Sequence, residues 1–276
     1  MARQIIDIDT VQPNGKKGDP ARLMSQKVNG NFAELYGLVV GLAAVGGVNM
    51  LINCGVPINQ RGFAGGALAA GSYGYDRWKA GAGGCNVTIN ASTGVFTHTS
   101  GPLQQIVESP LMAWGQPLTI SVENPSGSIA VSVGGTTATI TAGSGRRGVT
   151  VTPSGSGNMT VQLTGTGVTY SRPQLERGSA ATAFECRPAA IEWALCRRYL
   201  RTGKLALRGN GSSNAGAGTW VQADMRSAPA VTFSNTVYAY GCSGISVNSM
   251  PAGPEIFVSA NGAYAFQTDY TFEAEL

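Results

Sequence analysis

Within twenty residues the sequence places Asn59, Gln60 and Arg61 beside Tyr73, Tyr75, Asp76, Arg77 and Trp78. These residue types suit the recognition of sugars. An aromatic face stacks on the apolar face of a pyranose, and planar polar side chains hydrogen-bond its hydroxyls and fix its orientation. In that reading Trp78 or Tyr75 is the stacking platform. Asn59, Gln60, Arg61, Asp76 and Arg77 then supply donors and acceptors. The alternative is structural: Trp78 belongs to a core, and Asp76 pairs with Arg61 or Arg77 to tie the fold together. Trp114, Trp220, Tyr238 and Tyr240 are further platforms, each as readily explained by packing.

Catalytic chemistry has fewer residues to draw on. Glycoside hydrolysis needs two carboxylates about 5–9.5 Å apart. No acid lies between Glu123 and Glu176, and Glu176, Glu185 and Glu192 form the one loose cluster. The single histidine, His98, has Ser100 and Ser109 nearby but no nucleophile-elbow motif accompanies it. The glycine run at 81–84 lacks the Lys-Ser/Thr ending of a phosphate loop. The reading is therefore non-enzymatic, with a polysaccharide depolymerase as a lesser alternative. Cys54, Cys85, Cys186, Cys196 and Cys242 contain no C-x-x-C pair. A Cys/His zinc site and a secreted disulfide scaffold are both disfavoured, and the thiols read as mostly buried and reduced. No cofactor is expected, and nothing in the sequence identifies ligands for a structural Ca²⁺.

Composition bounds the rest. Charged residues make up 12% of the 276 residues, about half the usual share. The net charge of +4 conceals an asymmetry. All 19 basic residues lie in residues 1–226, whereas residues 227–276 contain four acids (Glu255, Asp269, Glu273 and Glu275) and no base. Such a distribution could steer assembly or a charged glycan, or simply reflect a short segment without bases. The densest basic stretch, 187–208, lacks the aromatic pattern of a nucleic-acid module, so no nucleic-acid partner is expected. Residues 1–20 are polar and do not read as a signal peptide. The apolar run at 35–51 is too short and too rich in glycine for insertion into a membrane.

The elements that must position these residues follow from periodicity. Asp19 as N-cap and Pro20 at the first helical position predict a helix. Val28, Phe32, Leu35, Val39 and Leu42 repeat at intervals of four and three, an apolar seam that serves either packing on its own domain or a short bundle between chains. Gly46 and Gly47 close it. From about residue 49 the period becomes two. Strands are expected at 86–90, 95–98, 118–122, 129–133, 136–141, 149–152, 159–164 and 168–170, separated by glycine turns, which implies a sandwich or jelly roll. A short helix at 189–198 leads to further strands at 204–208, 219–225, 230–233, 236–240, 245–247, 255–259 and 263–275, with a loop at 210–218.

Three segments resemble bacteriophage tail-fibre and receptor-binding proteins. The first is the stretch from Gly18 to Leu38 with Lys27, Val28, Asn29, Asn31, Phe32, Glu34, Leu35 and Tyr36. The second is similar to a carbohydrate-binding jelly-roll module. Its pieces are Ile58 to Gly62, Tyr75 to Trp78, Gln174 to Ser179 with Ala181, Thr182, Phe184 and Glu185, and Cys196 to Tyr199. The third comprises Met225, Arg226, Ala228, Pro229, Val231 and Thr232 with the final residues 272–276. The resemblance implies a mainly β homotrimer of the virion tail, assembled in the host cytoplasm. Residues 1–48 would attach to tail or baseplate proteins and trimerise through Val28, Phe32, Leu35, Val39 and Leu42. Residues 49–188 would form the jelly roll, 189–198 a connecting helix and 199–276 a second β-sandwich. The expected function is non-catalytic, multivalent adhesion to bacterial surface polysaccharide or lipopolysaccharide. A structural tail component without sugar binding is the alternative.

Overall fold

Successive side chains of an extended chain point to opposite faces, so alternating apolar runs between glycine turns become half-buried strands. The computed structural model describes residues 6–43, 49–211, 217–220 and 224–276. The chain divides into two compact units, residues 1–48 and 49–276, and it is mainly β with antiparallel sheets.

In the first unit, helix α1 spans Ala21–Ala43. The Pro20 carbonyl accepts the Met24 amide at 2.9 Å, which opens the first turn. The Asp19 carboxylate accepts from the Asp7 amide (2.9 Å) and from Lys27 Nζ (2.7 Å), pinning the preceding arm to the helix. The Lys27 hydrogen bond holds the Asp19 pKa below its ordinary value. Val28 is half-buried, whereas Phe32 and Leu35 are 50% and 52% exposed. Gly46, Gly47 and the side chains of Val39 and Leu42 lie outside the described residues.

The second unit begins with eleven strands. They are β1 (Gly66–Leu68), β2 (Lys79–Ala80), β3 (Cys85–Ile89), β4 (Val95–Ser100), β5 (Pro102–Val107) and β6 (Leu118–Glu123), then β7 (Ile129–Val133), β8 (Thr136–Ile140), β9 (Arg146–Val151), β10 (Met159–Thr164) and β11 (Val168–Arg177). One sheet runs β1-β3-β4-β11-β6-β9 and the other β2-β5-β10-β7-β8. Phe96, Ile120 and Tyr170 from the first share a single core with Leu103, Val131 and Val161 from the second. Trp78 meets Phe96 edge-on at 5.6 Å, and Phe96 stacks on Tyr170 at 5.1 Å. His98 is buried beside them. Its Nε2 lies 2.7 Å from the Gly101 carbonyl and its Nδ1 3.1 Å from the Tyr170 hydroxyl. Burial pushes its pKa down.

Three of these strands are absent from the periodicity reading. In β5 the inward positions are Leu103 and Gln105. The Gln105 amide is satisfied by the backbone of Ile52 (2.6 and 2.8 Å), so a polar residue occupies a core position without penalty. Strands β1 and β2 are too short to carry a pattern.

Helix α2 (Ala189–Arg197) leads to β12 (Leu200–Gly211), β13 (Ala217–Trp220), β14 (Ala230–Asn248) and β15 (Glu255–Glu273). Strand β15 pairs with all three others. The three fragments expected at 230–247 and the two at 255–275 are thus two long strands, and glycines that read as turns are bends within them. Tyr240 pairs with Ala265 and Cys242 with Ala260, so Gly241 alone stands opposite residues 261–264. Such a bulge turns both strands sharply. Ile256 and Phe272 consequently share a buried cluster with Met225 and Ala274, although a straight strand would separate them by about 50 Å. Among the described residues this region forms one four-stranded sheet folded on itself.

Gly241 has φ +67°, and a Cβ there would lie 1.9 Å from the Ala263 carbonyl oxygen. Gly244 has φ +74° with open space around its Cβ position. Gly244→Ala is expected to cost about 1–2 kcal/mol from backbone strain alone. Gly241→Ala should cost clearly more, because backbone must move. Thermal unfolding of the two variants checks this, and equal melting temperatures would show that the corner does not depend on that approach.

Candidate functional site

The residues singled out in the sequence meet at the junction between the paired sheets and the folded sheet. Asn59 shapes a turn, exchanging hydrogen bonds with the Phe63 backbone at 2.8 and 2.9 Å. Gln60 binds the Asp76 carboxylate through its amide and side chain (2.8 and 2.6 Å) and reaches the Leu200 carbonyl at 2.7 Å. Burial raises the Asp76 pKa, opposed by these bonds. Asp76 therefore pairs with Gln60, and the arginines turn elsewhere. Arg61 binds Glu273 at 2.7 Å and Glu275 at 3.5 Å. Arg77, 1% exposed, pairs with Glu275, donates to the Ile106 carbonyl at 2.5 Å and lies 3.5 Å from the Tyr199 ring centroid. Tyr73 and Lys79 bind the Leu276 carbonyl at 2.5 and 2.9 Å. Tyr75 and Trp78 are buried, the indole N–H donating to Asn53 at 2.8 Å. In this arrangement Trp78 has no exposed face on which a sugar could stack, and the cluster receives the acidic end of β15.

A second polar staple ties the end of β11 to the segment that precedes α2. Buried Glu176 accepts from the Thr182 amide (2.9 Å) and hydroxyl (2.5 Å) and from Gln174 (3.0 Å). The Glu185 amide returns to Gln174 at 2.9 Å. Glu185 and Glu192 both pair with Arg187 at 3.3 Å. The loose acidic cluster seen in the sequence is thus divided between hydrogen-bonded partners.

Concave surface lies around α2. A cavity of about 420 Å³ is lined by Val56, Asn59, Phe184, Glu185, Glu192 and Trp193, among others. Asn59 is the one residue of the sequence-derived set that reaches it. Trp193 is 39% exposed and also borders a shallower cleft of about 540 Å³ with Arg197, Arg198, Arg201 and Asp224. The Arg197 guanidinium sits 5.3 Å from the Trp193 ring. Sequence reasoning passed over Trp193. The available signal was an aromatic residue followed by arginine four positions later, which share a helix face. Trp114 donates to the Gly157 carbonyl at 3.0 Å, and Tyr238 stacks on Phe266 at 6.4 Å. The Trp220 side chain lies outside the described residues.

Among the described residues no group of three His, Cys, Asp or Glu could hold a metal ion, and no helix is long and apolar enough to cross a membrane. All five cysteines are free thiols: Cys54, Cys85 and Cys196 are buried, Cys242 is half-buried and Cys186 is exposed.

No protein-family model matches the chain, and no curated protein matches it. Among solved structures, protein Ylba from E. coli is similar over 81% of this chain and 92% of that chain, with 11% identity and a TM-score of 0.13. A score this low carries no argument about fold or activity.

The junction makes a quantitative demand. Removing one partner of a buried ion pair leaves an uncompensated charge and costs about 3–5 kcal/mol. Arg77→Ala is expected to fall in that range in urea denaturation. Arg61→Ala, at a partly exposed pair, should cost about 1 kcal/mol or less. Small and equal losses would show that the junction is held by apolar contact instead.

Proposed function

We propose that the protein is a non-catalytic adhesin of a bacteriophage tail, a homotrimer that binds bacterial surface polysaccharide or lipopolysaccharide. One observation carries the reading to a place on the molecule: Trp193 stands half-open in the wall of a 420 Å³ cavity, with polar side chains beside it. That volume falls within the ~300–1,000 Å³ of small-ligand sites. An exposed indole edged by carboxylate and amide groups is suited to a pyranose. The tail-fibre resemblance of Gly18 to Leu38 and of the segments at 58–62, 75–78 and 174–185 supports the setting. Two antiparallel sheets around one core are compatible with a jelly roll.

Phe32 and Leu35, exposed on α1 in the four-three spacing, support association through Val28, Phe32, Leu35, Val39 and Leu42. Three weak sites on one assembly gain avidity of ~10²–10⁴ when a surface lets them engage together. A purely structural tail or baseplate component is the second reading. It is favoured by the burial of Asp76, Arg77 and Trp78 at the junction, where motif residues serve the fold.

Two measurements test the proposal. On an array of bacterial glycans the protein is expected to bind, and Trp193→Ala to lose about tenfold or more in affinity, roughly 1.4 kcal/mol. Absence of binding to every glycan, together with absence of adsorption to bacterial cells, favours the structural component. In light scattering after size exclusion the full chain should have three times the protomer mass, and Val28→Glu with Leu35→Glu should reduce it to one. A wild-type protomer would remove the trimer.

A further inference from the structure

We infer that the cleft bordered by α2 selects an anionic saccharide, one whose carboxylate or phosphate is held by Arg197 beside Trp193. This rests on the glycan reading above and specifies its ligand chemistry. Arg197, Arg198 and Arg201 line the cleft against a single acid, Asp224. Arg198 is engaged by Glu108 at 3.1 Å. Among the described residues Arg197 forms no ion pair, and its guanidinium lies over the Trp193 ring. Stacking uses the flat face of a guanidinium and leaves its edge N–H groups free in the fork geometry that fits a carboxylate or phosphate.

The cleft does not stop at the arginines. Trp193 lines it and also lines the more apolar cavity next to it. A saccharide with a charged residue next to an uncharged ring could therefore place its acid at Arg197 and its neutral ring in the cavity beside the indole. A nucleic acid is the less suited polyanion. Among the described residues Trp193 is the one aromatic side chain lining the cleft, whereas single strands are held by successive stacking platforms along a basic groove. In a chain with only 12% charged residues, three arginines on one cleft stand out from a weakly charged surface.

The test uses the full chain on an array holding neutral, uronic-acid-bearing and phosphate-bearing oligosaccharides, with a twelve-nucleotide single-stranded DNA as a further probe. Binding is expected on acidic glycans and to weaken as salt rises. Arg197→Ala should lower affinity at least roughly tenfold, the loss typical of a charge-assisted hydrogen bond. Arg197→Lys should restore only part of it, because an ammonium cannot form the two-pronged contact. Preference between the uronic and phosphate arms identifies which anion is read. Binding confined to neutral glycans, or acidic-glycan binding unchanged in Arg197→Ala, overturns this inference while leaving the adhesin reading intact. Binding to no glycan removes both. Tighter binding of the DNA than of any glycan, lost in Arg197→Ala, assigns the cleft to nucleic acid and overturns the saccharide. Arg197 is exposed, and unchanged thermal unfolding of both variants shows that a lost signal is a lost contact.

Discussion

A buried guanidinium needs a counter-charge and hydrogen-bond acceptors, and Arg77 organises the second unit by that requirement. Its charge meets Glu275, its edge meets the Ile106 carbonyl and its face meets the Tyr199 ring. It also adopts φ +70°, a conformation that costs a non-glycine residue about 1–3 kcal/mol and persists only when surroundings over-determine it. Three elements far apart in sequence converge on this one side chain. The end of β15 must return to the paired sheets before the charge is neutralised, so the junction completes late in any order of assembly that begins with local strands. The charge asymmetry of the sequence has the same origin. Glu273 and Glu275, two of the four acids beyond residue 226, are the counter-charges of Arg61 and Arg77.

Much of the strand pattern was legible wherever one face is apolar and the other wet. Ile129–Val133 and Met159–Thr164 match their expected ranges because Val131, Val133, Val161 and Leu163 alternate with Ala130, Ser132, Thr160 and Gln162. The pattern was lost where a polar residue finds a backbone partner inside, as at Gln105, and where glycine bends a strand without ending it, as at Gly241. Local periodicity carries no information on either point, since each depends on a partner distant in sequence.

The candidate site shows the same limit more sharply. The cluster at 59–61 and 73–78 was visible as chemistry, but its ligands proved to be Glu273, Glu275 and the backbone of Leu200, up to about two hundred residues away. The sequence admits an ion pair of Asp76 with Arg61 or Arg77, but in the fold Asp76 binds Gln60 and both arginines bind the C-terminal glutamates. Gln174, Glu176 and Thr182 behave alike, bound to one another. Three of the four pieces that carry the jelly-roll resemblance, 58–62, 75–78 and 174–185, are therefore held in hydrogen-bonded staples. A sequence signature built from such residues reports a fold, because removing a buried partner costs stability regardless of the ligand.

Under the proposed adhesin function, ligand choice resides where side chains can change without opening the core, and α2 meets that condition. Its Ile191, Trp193 and Arg197 face solvent, and its one buried residue is Cys196. The helix hangs from the junction through Tyr199 and Leu200, which are fixed by Arg77 and Gln60. A rigid attachment beneath an exposed helix face limits the entropy lost on binding without fixing the ligand's identity. The same buried arginine that makes the sequence motif uninformative about sugar contacts thus holds steady the surface on which such contacts can be built.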